Sequence, residues 1–271
     1  MFQSVKRQSQ IVDVGPPTLG NKSYSPGMVS SDVWDDETAA VYDEEETAMF
    51  APEVVEPAVD FLSRLAGSGP VLEFAIGTGR IGIPLMRRGV PVTGIELSPS
   101  MALRLRAKVN EADLPVVVGD MATTTVPGEF GLVFLVWNSI SNLRTQKEQV
   151  ECFRNAARHR APGGGFVVEL FVPPLRRFPP GQVAVPFDVS EAHSGFDTID
   201  LATQGCNSHH YTRQQDGTIR YSVGHFRYIW PAECDLMAQL AGMELESRVE
   251  DWDGTPFGSE SAKHVSVWRK M

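Results

Sequence analysis

A glycine-rich segment carries the strongest chemical signal in this chain. It runs Val71-Leu-Glu-Phe-Ala-Ile-Gly77-Thr-Gly79-Arg-Ile-Gly82, between a predicted strand and a predicted helix. Glycines at such a junction let the backbone turn tightly and approach a ligand. Glu96 ends the next predicted strand, 19 positions after Gly77, where a carboxylate can accept hydrogen bonds from both hydroxyls of a ribose. The segment therefore predicts a site for a nucleoside-containing ligand.

Two classes of nucleoside ligand fit this spacing, because the same glycine pattern occurs in dinucleotide-binding proteins. Glu73, inside the first strand, argues against a dinucleotide, since its carboxylate would attract a cationic ligand and repel a pyrophosphate. Asp120 and Met121 follow the third strand and could bind the amino group and the ring of an adenine. The alternative for this pair is a helix cap followed by a core methionine. An NAD(P)-dependent oxidoreductase remains the alternative enzyme class.

Alternating short strands and helices position these motifs. The sequence predicts strands at 70–74, 91–96, 114–118, 130–137 and 166–172, with helices between them. Parallel neighbours need crossover connections, so the pattern favours an α/β fold with a mostly parallel sheet and helices on both faces. In such a sheet, ligands bind beyond the carboxyl ends of the strands. A helix from Pro231 and strands near 243–249 and 264–269 complete the predicted sheet.

Residues 173 to about 230 interrupt this alternation. They lack a helical period and contain a predicted hairpin, with strands at 208–213 and 219–230 around a turn at Asp216-Gly217. An antiparallel β insertion at this point would lie over the carboxyl edge of the sheet, so it is a candidate lid. Phe226, Tyr228 and Trp230 alternate along its last strand, which fits either core packing or the wall of a pocket.

Composition and the remaining segments restrict the partners. Residues 1–30 mix Gly, Pro, Ser and Asn without periodicity and predict a flexible N-terminal arm before a domain at 31–271. Twenty-four basic against 34 acidic residues give a net charge of −10, which disfavours nucleic acids and anionic membranes. No apolar run reaches the roughly 18 residues of a membrane span. We expect a cytoplasmic protein, with a homodimer as an open alternative.

Cysteine and histidine spacing argues against metal chemistry. Cys152, Cys206 and Cys234 are far apart and in no Cys-x-x-Cys pattern, which indicates neither a disulfide framework nor a thiolate metal site. The six histidines show no His-Glu-x-x-His spacing. No catalytic metal is therefore expected.

Taken in order, the motifs resemble those of the class I S-adenosylmethionine-dependent methyltransferases. The matching segments are the acid and glycines of Glu73 to Gly79, the strand-two acid Glu96, Gly119-Asp-Met, the run from Phe130 to Leu143, and Ala161-Pro-Gly-Gly-Gly-Phe. Arg160 stands where the family usually has Leu in Leu-x-Pro-Gly-Gly. The resemblance covers about residues 35 to 271. It implies a Rossmann-like, seven-stranded, mostly parallel sheet with an antiparallel last strand, and S-adenosylmethionine as the cofactor.

The resemblance also implies roles for individual residues. Glu73 and the backbone of Gly77 to Gly79 would contact the methionine portion of the cofactor. Glu96 would bind the ribose, and Asp120 with Met121 would bind the adenine. The other implied cofactor-binding residues are Ala75, Leu97 and Met101, together with Val136 and Asn138 of the segment 136–139 that would line the methyl-transfer side.

Tyr42 would reach the methionine carboxylate, with help from Arg80. The alternatives are a packing role for Tyr42 and a surface position for Arg80.

Glu169 and His225 are the candidate general bases. Glu169 interrupts an otherwise apolar fifth strand, where a lone carboxylate should be partnered or functional, and similar sugar-amine N-methyltransferases of antibiotic pathways carry Glu at the matching place. Its alternative is an ion pair with a lid arginine such as Arg176 or Arg213. His225 lies on the predicted hairpin, where a histidine is often a hydrogen-bonded scaffold residue.

The need for a base separates two reaction types. A neutral amine attacks unaided, whereas an alcohol or phenol must lose its proton during the attack. The sequence predicts S-adenosylmethionine-dependent methyl transfer to an amine or hydroxyl of a small-molecule metabolite, as in secondary metabolism. A methyltransferase-like nucleoside-binding module without activity is the non-enzymatic alternative.

Overall fold

The computed structural model describes residues 34–45, 47–214 and 216–270, and the predicted arm at 1–30 lies outside this part. Seven strands of the described part form one sheet. They are β1 (Val71–Phe74), β2 (Val92–Glu96), β3 (Val116–Val118), β4 (Phe130–Leu135), β5 (Arg160–Phe171), β10 (Met243–Val249) and β11 (Lys263–Lys270). Their order is β10-β11-β5-β4-β1-β2-β3.

The pairing confirms the predicted fold class. β3, β2, β1, β4 and β5 run parallel to one another, while β11 runs antiparallel to both β5 and β10. The strand order reverses between β1 and β4, which places the binding crevice at their carboxyl ends.

Helices cover both faces of this sheet, as the sequence predicts. They are α1 (Asp36–Glu45), α2 (Pro52–Ala66), α3 (Gly82–Arg87), α4 (Pro99–Arg106), α5 (Gln146–His159) and α6 (Pro231–Leu240). α2, α3 and α4 pack on one face, and α5 and α6 pack on the other, each through a separate hydrophobic cluster. Alternate strand residues supply the two clusters, because successive side chains of a strand point to opposite faces. None of the helices in the described ranges is long and apolar enough to cross a membrane.

The inserted segment forms a second sheet. β6 (Ala184–Val189), β7 (His193–Asp200), β8 (Gly205–Arg213) and β9 (Ile219–Arg227) are antiparallel and adjacent in chain order. The predicted hairpin is confirmed, since β8 and β9 pair from Gly205 opposite Arg227 to Arg213 opposite Ile219. The strand ends at Arg227 and not at Trp230, because Trp230 is already the N-cap of α6, with Pro231 in the first turn.

Arg227 joins this second sheet to the body of the protein. It is 5% exposed, and its guanidinium donates to Gln204 Oε1 and to Glu233 Oε1, each at 2.8 Å. It also donates to Gln149 of α5, and the Gln149 amide donates to the Arg227 carbonyl at 3.2 Å. One buried cation therefore bonds to Gln204, directly before β8, and to helices α5 and α6.

Candidate active site

The glycine loop after β1 adopts backbone conformations that favour glycine. Gly77 and Gly79 have φ of 59° and 88°, in the left-handed region where most side chains are strained. A Cβ at Gly79 would lie 2.7 Å from the side chain of Ile83, and one at Gly82 would lie 2.7 Å from Glu73 Oε2. The second and third glycines thus leave room for α3 and for the buried Glu73 carboxylate.

Glu96 fixes the loop to the end of β2. Its carboxylate accepts the Gly77 N–H at 2.7 Å and the Ser98 N–H at 2.8 Å, and the residue is only 7% exposed. Burial raises the pKa of Glu96, while these backbone hydrogen bonds oppose the increase. The two bonds orient the carboxylate beside the glycine loop, as a ribose-binding acid requires.

Glu73 is a buried acid with an unsatisfied oxygen. It is 2% exposed, and within the described residues its Oε2 has no hydrogen-bond partner. Burial raises the pKa of Glu73 well above its usual range; Arg80 opposes this increase and Glu96 adds to it. Buried polar atoms are normally paired, so an oxygen of this kind fits a ligand that is cationic or donates a hydrogen bond.

A small cavity of about 60 Å³ joins the predicted nucleoside residues. Its walls include five residues that the sequence predicts, namely Ala75, Glu96, Leu97, Asp120 and Met121. Asp120 also accepts the Ala122 N–H at 2.8 Å, and burial raises its pKa. Asp120 thus caps a turn and Met121 is buried, and because both also line this cavity, their binding of adenine stays a prediction.

Trp34 and Asn142 also line the small cavity, and neither is among the site residues that the sequence predicts. The Trp34 carbonyl accepts the Ser98 hydroxyl at 2.5 Å, and its ring meets that of Tyr42 edge to face at 5.0 Å. The Tyr42 hydroxyl lies 3.8 Å from Met49 Sδ. Tyr42 is thus packed in the aromatic cover beside the cavity, and its contact with the methionine carboxylate stays a prediction.

Arg80 and Met101 lie on either side of the glycine loop. The Arg80 guanidinium stacks over Trp137 at 5.0 Å and donates to the Met49 carbonyl at 3.3 Å. Met101 is buried, with its Cε 3.8 Å from the position of a Cβ at Gly77. Arg80 is therefore not a free surface residue, since it connects the segment after α1 to the loop after β4.

The loop after β4 holds the predicted methyl-transfer side in a strained conformation. Val136 is buried, and the next two residues, Trp137 and Asn138, have φ of 54° and 58°. Such values are costly for residues other than glycine and persist only where surrounding contacts hold them. Here the Asn138 N–H donates to the Glu169 carbonyl at 3.2 Å, and Asn138 Oδ1 accepts the Phe171 N–H at 3.2 Å.

The Glu169 carboxylate supports the same loop and is fully engaged. It accepts the Trp137 N–H at 2.9 Å and the indole N–H of Trp252 at 3.0 Å, and the Lys263 ammonium lies 4.0 Å away. Glu169 is 2% exposed. A lid arginine is not its partner: Arg176 pairs with Glu260, and Arg213 donates to the Glu191 carbonyl.

His225 lies on the face of β9 that turns away from the large cavity. It is opposite Asn207 in the β8–β9 register, and its neighbour Phe226 lines the cavity. Neighbouring side chains of a strand point to opposite faces. The role of His225 as a base therefore stays a prediction without support from its position.

A second, much larger cavity lies between the seven-stranded sheet and the inserted sheet. It measures about 830 Å³, which is within the range of small-molecule sites. Asn138 and Ser141, which follow β4, are among its lining residues. Phe226, Tyr228 and Trp230 line it, so this aromatic series is the wall of a pocket and not only core packing.

Comparison with known proteins identifies the family. The model of a methyltransferase domain matches residues 71–164. The CcbJ methyltransferase from Streptomyces caelestis has 33% sequence identity and a TM-score of 0.77, over 88% of this chain and 98% of that one. The chain belongs to the S-adenosylmethionine-dependent methyltransferases. Of the three interpretations, the finding therefore supports the methyltransferase that uses S-adenosylmethionine, and not the oxidoreductase or the inactive binding module.

Two further comparisons agree with this assignment, one in sequence and one in fold. The cypemycin N-terminal methyltransferase of Streptomyces sp. is 26% identical over 246 residues, which are 86% of this chain and 98% of the relative. S-adenosylmethionine-bound CalS10 from Micromonospora echinaspora, an amino pentose methyltransferase, has a TM-score of 0.65 at 20% identity, over 87% of this chain and 98% of that one. The second of these shows the fold alone.

The residues of the methyltransferase fit S-adenosylmethionine on observations of their own. Glu73 offers an unsatisfied buried oxygen, and beside Gly77 the nearest described atom to a Cβ position is Met101 Cε at 3.8 Å, so the backbone of the loop is open to a ligand there. Glu96 and Asp120 line one cavity at the tips of β2 and β3. Acids at neighbouring strand tips suit a ligand that combines a ribose, an adenine and positive charge.

Proposed function

We propose that this methyltransferase transfers the methyl group of S-adenosylmethionine to an amine nitrogen of a small-molecule metabolite. The observation that carries the proposal is the state of Glu169, the carboxylate that is hydrogen-bonded to the predicted methyl-transfer loop. Its oxygens accept the Trp137 and Trp252 N–H groups, and the residue is nearly fully buried. A carboxylate held in this way supports the loop and is poorly placed to take a proton from an alcohol, whereas an uncharged amine needs no base.

In this proposal, three acids bind different parts of the cofactor. Glu96 binds the ribose hydroxyls, Asp120 the adenine amino group, and Glu73 with the glycine loop the methionine portion. When bound, S-adenosylmethionine supplies a sulfonium methyl group, which moves to the acceptor nitrogen as its bond to sulfur breaks and leaves neutral S-adenosylhomocysteine. The protein contributes alignment and exclusion of water, which together can supply about 7 to 11 kcal/mol of the barrier.

The acceptor half rests on the large cavity. It reaches from Asn138, beside the strained loop, to the inserted sheet, and its volume of about 830 Å³ suits a metabolite larger than an amino acid. The cypemycin relative is named for methylation at an N-terminus, which is consistent with an amine. In this proposal the inserted sheet at 173–230 acts as the lid that closes over the acceptor.

Matched acceptor pairs test the proposal. Each pair shares one skeleton and differs in a single group: an amino deoxysugar with its hydroxy counterpart, and a short peptide with its N-terminal hydroxy-acid analogue. Release of S-adenosylhomocysteine is measured with each compound. We expect turnover with amine members only. Turnover of the hydroxy members at similar rates would contradict the proposal and would favour O-methylation.

A binding control separates a wrong acceptor from an inactive preparation. Calorimetry with S-adenosylhomocysteine should show saturable binding to the same protein sample. If binding is normal and every amine fails while a hydroxy compound reacts, N-methylation is wrong but the cofactor assignment stands.

A further inference from the structure

We propose that Asp197 is the residue that selects the acceptor, by binding a protonated amine in the large cavity. This inference rests on the proposed function and deepens it, because it defines the acceptor class as one that enters with a positive charge. An alkylamine is protonated near neutral pH. The bound ammonium must release one proton to water before its lone pair can attack; Asp197 acts in binding, before that step.

Strand register places Asp197 on the cavity face of the inserted sheet. Asp197 lies opposite Ser208, and Ile199 lies opposite Cys206. All four residues line the cavity. Phe196, the preceding residue of β7, points to the other face, where its ring stacks on His209 at 4.8 Å. The alternation leaves Asp197 aimed at the space that an acceptor would occupy.

The cavity that Asp197 lines is mainly apolar. Ile199, Phe226, Tyr228 and Leu175 belong to the same cavity wall, and Asp197 is half-buried. Across the described ranges, its carboxylate has neither an ion-pair partner nor a side-chain hydrogen bond. A partly desolvated carboxylate without a partner attracts a cation more strongly than an exposed one does.

Other charged groups of the cavity do not cancel this carboxylate. Arg176 is bound to Glu260 through two contacts of 2.8 Å, so that pair is neutral as a unit. Arg177 is exposed at the rim and donates to the Pro186 carbonyl at 3.4 Å. A solvated charge at the rim is screened by salt and water, whereas Asp197 faces the interior.

Two histidines lie on the same face of the inserted sheet as Asp197. His193 Nδ1 contacts Asp188 Oδ2 at 2.6 Å, and its Nε2 lies 3.1 Å from His210 Nδ1. Burial, and then the neighbouring His193, lower the pKa of His210, while the Asp197 carboxylate opposes this decrease. The net decrease disfavours a positive charge on His210, so Asp197 is left available to an external cation.

Two fragments of equal shape measure the preference directly. Cyclohexylamine, which is an ammonium ion near neutral pH, and neutral cyclohexanol are titrated into protein saturated with S-adenosylhomocysteine, and their dissociation constants are measured by NMR. We expect the native protein to bind the ammonium about tenfold more tightly. Asp197→Asn should remove this preference, and Asp197→Glu should keep much of it.

Glu191→Gln is the matched control. Glu191 is exposed in the turn before β7 and is not among the cavity-lining residues, so its loss removes one negative charge from the same sheet without touching the cavity. The Glu191→Gln protein should keep the roughly tenfold preference for cyclohexylamine over cyclohexanol. The inference is overturned if the native protein binds both fragments equally, or if Asp197→Asn keeps the preference. Unchanged affinity of Asp197→Asn for S-adenosylhomocysteine verifies that the variant is folded.

The fragment experiment needs no turnover, so its outcome is independent of the proposed function. A lost preference in Asp197→Asn together with reactive hydroxy acceptors would refute N-methylation alone. With an amine acceptor in hand, Asp197→Asn should raise its KM about tenfold and change kcat much less, because Asp197 binds the acceptor without reacting.

Discussion

Glu73 and Glu96 on the cofactor side lie on parallel strands and are almost fully buried, whereas Asp197 on the acceptor side lies on an antiparallel strand and is half-buried. Glu96 is held by two backbone N–H groups, while no described group holds the Asp197 carboxylate. The difference separates two tasks. A constant cofactor suits fixed, pre-oriented groups, and a variable acceptor suits a sheet whose face can change without disturbing the core.

The largest expected effect comes from cutting the junction between these two regions. Arg227→Met leaves Glu233 without its cation, and removing one partner of a buried ion pair typically costs about 3 to 5 kcal/mol. Urea unfolding followed by circular dichroism measures the change. The expected loss contrasts with Arg213→Met on the same sheet, where an exposed guanidinium should matter by about 0.5 kcal/mol or less.

A second change tests whether the junction acts through charge. Arg227→Met combined with Glu233→Gln removes both charges and should recover part of the lost free energy of unfolding, because no charge is left unpaired. If Arg227→Met alone costs less than about 1 kcal/mol, the two sheets are held together by other contacts.

The cofactor side should respond next most strongly. Glu96→Ala removes the expected ribose acceptor and also the anchor of the Gly77 N–H, so affinity for S-adenosylhomocysteine should fall about 100-fold, or about 2.7 kcal/mol. Isothermal calorimetry measures this. Glu244→Ala, an exposed acid on β10, is the control. An affinity for Glu96→Ala within about threefold of native would remove the ribose role.

Features of the cofactor side could be predicted from the sequence because they depend on local patterns. Gly77 and Glu96 belong to the same strand-helix-strand unit. Local patterns specify such a unit and the edge at which its strands end. The hairpin of β8 and β9 is equally local. The acids at the strand ends, which the sequence predicts from this local pattern, therefore do line the small cavity.

Contacts between distant segments could not be predicted in the same way. Trp252, in the loop before β11, donates to Glu169 across 83 positions of sequence, and the antiparallel register that pairs Val265 with Glu169 sets the position of β11 beside β5. A shift of one residue in that register would turn each side chain to the other face. The cavity-facing position of Asp197 depends on register for the same reason. Trp34 precedes α1 and had no periodic signal to place it.

A smaller effect distinguishes support of the loop from proton transfer at Glu169. Loss of a general base typically lowers the rate by a factor of about 10² to 10⁴, whereas Glu169→Gln should lower kcat with an amine acceptor by about tenfold or less, because its amide oxygen can still accept one N–H. Trp252→Phe removes the indole donor from the other side and should lower kcat similarly.

The pH profile of kcat provides the decisive control for Glu169. If Glu169 supports the loop, both variants should keep the shape of the native profile. A profile that loses its acidic limb in Glu169→Gln, but not in Trp252→Phe, would show that Glu169 transfers a proton and would favour a hydroxyl acceptor.

The smallest effect has the opposite sign for stability. Burial raises the pKa of Glu73 above its ordinary value of 4.5. The folded protein therefore holds this proton more tightly than the unfolded chain does, so the contribution of Glu73 to stability is present below about pH 4.5 and is lost as pH rises through the folded pKa. Glu73→Gln avoids that loss, and near neutral pH it should stabilise the cofactor-free protein by about 1 kcal/mol.

Thermal unfolding across pH measures this gain, which should vanish toward pH 4.5, while calorimetry should show weaker binding of S-adenosylmethionine to Glu73→Gln. Neutral S-adenosylhomocysteine should lose less affinity than the sulfonium cofactor, because the missing charge acts on the positive sulfur. Equal losses for the two ligands would mean that Glu73 acts through hydrogen bonding and not through charge. A Glu73→Gln protein less stable than native near neutral pH would mean that the buried carboxylate supports the fold, and the burial of Glu73 would then not be a cost that the protein bears for binding its cofactor.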